Sequence, residues 1–283
     1  MDNAILLISC PDQKGITATV SNFIYKNNGN IEHADQHIDQ QTNTFFMRIE
    51  WSLKDFKIPK KDIAEEFSLV AKKFKMSWNL YFKKDIPNIA IFVSKKLHCL
   101  YDLILRYKEA QIRGKILLVV SNYSLAKKVC QDFNINFFEF PIDGNNREEQ
   151  EEKQLSLLKT KKIELVILAR YNRILTSNFI KEFPNRIINI HHSFLPAFKG
   201  KAPYEQAYSR GVKIIGATSH YVVEELDAGP IIEQDTMRVS HRDSLEEIKR
   251  KGQDLEKIVL SRAVKWHLER KILVYNNKTV IFD

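Results

Sequence analysis

The chain has 283 residues, with 44 Lys and Arg against 35 Asp and Glu, a net charge of +9. Its 44% hydrophobic and 28% charged residues are those of a soluble globular protein, and the length suits two domains. No apolar run is long enough for a membrane span, and no RNP motif, zinc-finger spacing or arginine cluster accompanies the positive charge, so neither a membrane nor a nucleic-acid partner is expected.

The N-terminus, MDNAILLISCPDQ, has an acid where a signal peptide needs a basic start, so secretion is not expected. Residues 4–10 read as a buried strand. PDQKGI (11–16) turns into an amphipathic helix with Ile16, Val20, Phe23 and Ile24 on one stripe. Residues 31–39 and 44–52 alternate as a hairpin. A helix follows with apolar positions at Ile63, Phe67, Leu69 and Val70, then a strand at 76–83. The order βαββαβ predicts a ferredoxin-like domain over 1–83. Residues 83–88, with Pro87, form a linker.

From 88 to 283 the pattern becomes α/β. Strands are expected near 89–93, 116–120, 136–140, 163–168 and 187–191, with helices at 98–109, 124–132 and 147–160 between them. That alternation predicts a doubly wound, mostly parallel, Rossmann-like sheet. Two more strands (213–223 and 230–239), a charged helix (244–268) and a hairpin around Asn276-Asn277 complete the chain. The cysteines, Cys10, Cys99 and Cys130, are far apart and form no CxxC, which predicts buried free thiols in a reducing cytoplasm.

Chemistry concentrates in 187–234. The chain holds only nine glycines, yet Gly200, Gly211, Gly216 and Gly229 fall together there, with Pro196, Pro203, Pro230, His191, His192 and His220. The run IINIHHS ends a strand with an amide, two imidazoles and a hydroxyl. A metal site would need His191, His220 and Asp227 to converge, because adjacent strand residues such as His191 and His192 face opposite ways. A metal-free site would use Asn189 and His191, on one face, to hold an oxyanion, and a carboxylate as base. Asp227, before Ala-Gly-Pro, is the best-placed carboxylate. Glu224 and Glu225 read as a solvated turn. A plain polar turn is the third reading.

NIHHSFLPAF followed by GATSHYVVEELDAGPIIEQD resembles the formyltransferase-type catalytic domain that handles 10-formyltetrahydrofolate. The resemblance implies that Asn189, His191 and Asp227 are the catalytic set. LARYNRIL (168–175) is similar to the family's folate-pocket loop, which assigns Arg170, Tyr171, Asn172, Ile174 and Leu175 to the substrate, together with Ser193, His220 and Val222. His192 is left a structural role. The Lys199/Lys201 pair is expected to meet either solvent or a folate glutamate tail.

HHSFLP and the tail LVYNNKTVIF resemble the hydrolytic, deformylase branch of that family, and the first eighty residues, with CPDQKGI, its ACT domain. The implied activity is hydrolysis of 10-formyltetrahydrofolate to formate and tetrahydrofolate, supplying formate for purine synthesis, with water as nucleophile and no metal or cofactor. Transfer of the formyl group to an amine, and folate or amino-acid binding without turnover, are the alternatives. The stretch FVSKKLHCLYDLI (92–104) has no glycine, so no phosphate cradle is expected where the nucleotide-using branch has one. The ACT resemblance implies an amino-acid effector near Asp12, Lys14, Gly15 and Ile16, and pairing with a second copy into a homo-oligomer through open sheet edges and the helix-free face. Two departures stand out: Asn172 replaces an expected methionine, and Tyr101 replaces a small residue and is expected to narrow the acceptor side.

Overall fold

A computed structural model describes residues 2–143, 145–197 and 202–283. Its chain divides into two units. One runs up to Ile86 and adds Arg270–Tyr275 and Val280–Asp283; the other is Pro87–Glu269 with Asn276–Thr279.

In the first unit, β1 (Asn3–Pro11), α1 (Ile16–Lys26), β2 (Asn30–Asp39), β3 (Thr44–Ser52), α2 (Ile63–Phe74) and β4 (Ser77–Phe82) form the expected βαββαβ order. The antiparallel sheet runs β2-β3-β1-β4. Strand alternation decides which residues are buried against the helices. Ala4, Leu6, Ile8 and Cys10 of β1 and Phe45, Met47, Ile49 and Trp51 of β3 pack on Ile16, Val20, Ile24, Ile63 and Phe67. Leu69, expected in the apolar stripe, is instead 67% exposed on the outer face of α2.

The opposite face of this sheet is not free, contrary to the sequence reading. Leu7 and Phe46 pack there on Phe282, with Leu273, Tyr275 and Val280 alongside. Next to this apolar patch, Glu50 accepts from Arg48 at 2.8 Å, Lys83 at 2.8 Å and Asn3 at 2.7 Å.

In the second unit, β5 (Asn88–Val93), β6 (Lys115–Ser121), β7 (Asn136–Glu139), β8 (Leu165–Leu168) and β9 (Ile187–His191) are parallel. β10 (Ile214–Tyr221) and β11 (Ile231–Arg238) extend the sheet antiparallel, giving the order β11-β10-β9-β8-β5-β6-β7. The central strands are apolar throughout because helices cover both faces. These are α3 (His98–Lys108), α4 (Lys127–Asp132), α5 (Arg147–Thr160), α6 (Ser177–Glu182), α7 (Pro203–Arg210) and α8 (Leu245–Leu268), the last packing along β9, β10 and β11. The sequence reading missed α6 and α7. Both are short but punctuated: Thr176 caps the amide of Phe179, and α7 opens on Pro203 and ends at Gly211 with φ 62°. The final hairpin pairs β12 (Ile272–Tyr275) with β13 (Lys278–Ile281). Among the described residues, no helix is long and apolar enough to cross a membrane.

Burial opposes charge on Glu50, but the hydrogen bonds from Lys83, Asn3 and Arg48 win and lower its carboxyl to about 2. Glu50→Ala takes the carboxylate away from the buried Arg48 guanidinium, and urea unfolding at neutral pH is expected to show a loss of about 3 kcal/mol. A carboxyl lowered on folding stabilises above its unfolded value and ceases to as pH falls through the folded one. The gap between wild type and variant should therefore close as pH falls from about 4.5 towards about 2.

Candidate active site

The parallel strands reverse their order beside β5, and a ligand crevice is expected at their carboxyl ends there. Three hydrogen bonds donated by backbone amides seam that crevice. Ala169 donates to the Phe92 carbonyl at 2.8 Å, Ser94 to that of Arg170 at 3.3 Å, and Asn172 to the Ser94 hydroxyl at 3.0 Å. Next to the seam, β9 delivers Asn189 and His191. β10 runs antiparallel to β9, and its register sets His220 opposite Asn189.

Asn189 Nδ2 lies 3.1 Å from His220 Nε2, while His220 Nδ1 lies 2.9 Å from the Tyr221 carbonyl oxygen. A carbonyl only accepts, so Nδ1 carries the proton. Burial is the main force lowering the pKa of His220, and in the neutral ring Nε2 takes a hydrogen from the Asn189 amide.

Asp227 sits in the turn between β10 and β11 with φ 54°, a left-handed conformation that aspartate tolerates better than most residues. Its Oδ2 is 3.2 Å from His191 Nδ1 and its Oδ1 is 3.7 Å from His220 Nε2. Burial opposes the charge of Asp227, but the hydrogen bond and electrostatic pull of His191, helped by His220, hold the carboxyl below its ordinary value. An ionised Asp227 accepts the Nδ1 proton of His191. Among the described residues, His191 Nε2 is buried without a hydrogen-bond partner, an orphan that a bound molecule would satisfy.

The turn can approach this closely only through Gly229. A Cβ there would stand 1.8 Å from the Tyr221 carbonyl oxygen. The Tyr221 amide donates back to Pro230, and the register against β11 slips between Ser219 and His220, a bulge that aims the imidazole.

Asn189, His191 and Asp227 line a cavity of about 540 Å³ with residues 170–175, His220 and Val222. Within that wall Tyr171 turns its ring into the core, edge-on to Phe92 at 5.3 Å, and burial pushes its hydroxyl up to about 12. Ile174 is exposed and Leu175 buried. Ser193 is not in this wall: its hydroxyl donates to the Ala197 carbonyl at 2.8 Å and it faces a smaller apolar cavity. The chain bends after β9, so His192 does not point away as strand geometry predicts; its ring lies 5.3 Å from that of His191 and 5.6 Å from Tyr204. Burial first, then the Arg170 charge, pushes His192 down to about 3.

Glu224 lies exposed, accepting from Ser177 at 2.9 Å. Tyr101 is 44% exposed on α3 and does not border the cavity. Lys199, Gly200 and Lys201 lie outside the described residues. Asp12, Lys14, Gly15 and Ile16 belong to the β1–α1 turn of the other unit; Gly15 takes φ 94° to start the helix, and the Ile16 side chain is buried in the core.

Sequence reasoning missed a second cluster. Glu256, fully buried on α8, accepts from His98 Nε2 at 2.8 Å and from the Tyr204 hydroxyl, with Arg170 Nε at 3.4 Å. Burial opposes its charge, but His98, Arg170 and Tyr204 outweigh burial and lower its pKa. The readable signal was a carboxylate on the apolar stripe of α8, four residues before Leu260 and seven before Ala263.

Donor atoms of His98, Cys99 and Glu256 lie within 4.8 Å of one another. A metal ion does not fit them: Glu256 is already bonded, the Arg170 guanidinium stands beside it, and burial, then Glu256, raises the Cys99 thiol well above its ordinary value. Around Asp227 the imidazoles do converge, but His220 Nε2 is taken by Asn189 and His191 Nδ1 by Asp227.

The formyl transferase family matches residues 87–264, and the ACT domain family residues 4–65. The chain is 50% identical over 279 residues to a formyltetrahydrofolate deformylase of Synechocystis, spanning 99% of this chain and 98% of that protein. It is 47% identical to one of Bacillus subtilis, covering 100% of this chain and 94% of the other. The crystal structure of a formyltetrahydrofolate deformylase from Pseudomonas syringae superposes with a TM-score of 0.98 at 42% identity, over 100% of this chain and 95% of that one.

Gly229→Ala tests the closeness of the turn. It is expected to lower stability by about 1–3 kcal/mol in urea unfolding and to shift the His191 and His220 ring resonances in NMR spectra. Unshifted rings in a folded variant would contradict the packing described.

Proposed function

The chain belongs to the formyltetrahydrofolate deformylase family, and on that premise we propose that Asn189, His191 and Asp227 carry out the reaction. The activity is hydrolysis of 10-formyltetrahydrofolate to formate and tetrahydrofolate. The observation that carries the assignment is the His191–Asp227 contact of 3.2 Å at a cavity wall that also holds the Asn189 amide.

The folate enters the cavity against residues 170–175 and Val222, with its formyl group beside Asn189 and His191. Asp227 orients the attacking water and accepts its proton as the oxygen bonds to the formyl carbon. The formyl oxygen becomes an oxyanion, held by the Asn189 hydrogen that His220 does not use and by protonated His191. Collapse breaks the C–N bond, the proton from Asp227 passes to the departing nitrogen, and formate leaves. His220 is a positioning residue: neutral and anchored on Tyr221, it fixes the amide plane of Asn189. On this reading water is the nucleophile and no metal or cofactor takes part. Water is the acceptor on this reading. In support, the turn after β5 holds no glycine, and His98, which opens α3, is bonded to Glu256.

For the first unit (residues 1–83 in the sequence division) the reading is regulation and assembly. An amino-acid effector would meet backbone groups of the Asp12–Ile16 turn, because the Ile16 side chain is committed to the core. Pairing with a second copy falls to the exposed ten-residue edge strand β2. The three free, buried cysteines suit the cytoplasm.

Formate release from 10-formyltetrahydrofolate alone, with no amine present, tests the reading. Asn189→Ala should lose about 3 kcal/mol of transition-state stabilisation, a hundredfold or more in kcat. Asp227→Asn should lose more, because both the proton acceptor and the negative charge beside His191 go. Near-normal formate release by folded Asp227→Asn would sink the assignment, and a strict need for an amine would sink hydrolysis.

A further inference from the structure

The turn that carries Asp227 is held from two sides. On the β10 side, Tyr221 N donates to Pro230 O at 2.9 Å and Gly229 packs on the Tyr221 carbonyl. On the other side stands the tip of the C-terminal hairpin. Asn277 Nδ2 donates to the Ala228 carbonyl at 2.8 Å, and Thr279 Oγ1 donates to the Ile231 carbonyl at 2.6 Å. Asn277 lies in the hairpin turn and Thr279 on β13 two residues further on, and their side chains reach the two ends of the segment Ala228–Ile231. The two central residues of the tip, Asn276 and Asn277, have φ 42° and 58°, the left-handed pair that a two-residue hairpin turn requires and asparagine accepts. Asn277 therefore does two things at once. Its backbone closes the hairpin, and its amide grips the residue after Asp227.

Asp227 needs such a grip. Its left-handed backbone costs free energy, and strained residues persist only where their surroundings over-determine them. The Ala228 and Ile231 carbonyls bracket the turn just after Asp227, and a carboxylate 3.2 Å from its imidazole loses that contact if the turn relaxes by an ångström.

We propose that Asn277 and Thr279 are positioning residues for the reaction: by holding the Ala228 and Ile231 carbonyls they fix where Asp227 meets His191 and water. This deepens the reading above and rests on Asp227 as the reacting carboxylate.

The test combines Asn277→Gly, which keeps the left-handed backbone and removes the amide, with Thr279→Val, which removes the hydroxyl at constant shape. Formate release by the full-length double variant is expected to show kcat lowered by about tenfold or more, with KM for 10-formyltetrahydrofolate changed by less than about twofold. Thr279→Ser restores the donor and should restore most of the Thr279 share of the loss. Specific activity is read per folded enzyme, with thermal melting run alongside. Unchanged kcat in the folded double variant, or a fall that Thr279→Ser reproduces in full, overturns the proposal. If Asp227→Asn loses turnover and the double variant does not, only the role of the hairpin fails. If Asp227→Asn itself turns over normally, the assignment of Asp227 fails and this inference falls with it.

Discussion

The register between β9 and β10 is the constraint on which the site depends. Asn189 faces His220 across an antiparallel pair, and a slip of one residue would turn His220 to the other side of the sheet. The register is pinned two residues along, where Thr218 lies opposite His191. The Thr218 hydroxyl donates to the Ser193 carbonyl and accepts from Leu195 N and Gln234 Nε2. Gly216 lets Phe194 settle on the same strand, since a Cβ there would stand 2.6 Å from the Phe194 Cβ. The turn after β9 is thus fastened to β10, and the imidazoles, the amide and the Asp227 turn inherit their places from that fastening.

Glu256 does for the helices what Thr218 does for the strands. A buried carboxylate is costly unless its oxygens are fully bonded, and this one draws α3, α7 and the segment after β8 to a single point through His98, Tyr204 and Arg170. Gly252 makes this possible one turn earlier on α8, because a Cβ there would stand 2.2 Å from the Tyr204 hydroxyl. The Arg170 charge is consequently matched from within the protein. Arg170 also lines the cavity.

Much of this was legible in the sequence where one period or one punctuation mark decided the outcome. The alternation in β1 and β3, the apolar runs of the parallel strands and the hairpin around Asn276-Asn277 all read directly. Asn189 and His191 were placed on one face by a two-residue period, and Asp227 was marked by the Gly-Pro that follows it. What did not read was set by partners distant in sequence. Ser193 had the residue type of a site donor, but Ala197 claims its hydroxyl. The ring of His192 came back beside His191 because the strand ends between them, and strand ends are where a period stops informing. Leu69 satisfied a helical stripe only approximately, and packing against the sheet excluded it. Glu256 was visible as a charge on a buried stripe, yet its partners lie 52 and more residues away.

Two imidazoles flank Asp227, and they differ in what their Nδ1 atoms meet. His220 meets a backbone carbonyl, which keeps the proton on Nδ1 and leaves Nε2 to accept from Asn189. His191 meets a carboxylate, which also keeps the proton on Nδ1 and sets a negative charge beside the ring. In the proposed reaction the first ring therefore sets geometry and the second supplies charge. Asp227, held below the ordinary carboxylate range by that same contact, is a weak base in the resting site. Its pull on the water proton grows only as negative charge builds on the formyl oxygen beside His191 and weakens the hold of that ring on the carboxylate. In the proposed reaction, proton acceptance and oxyanion stabilisation are then one coupled event, which makes the geometry between Asp227 and His191 the quantity the fold has to hold.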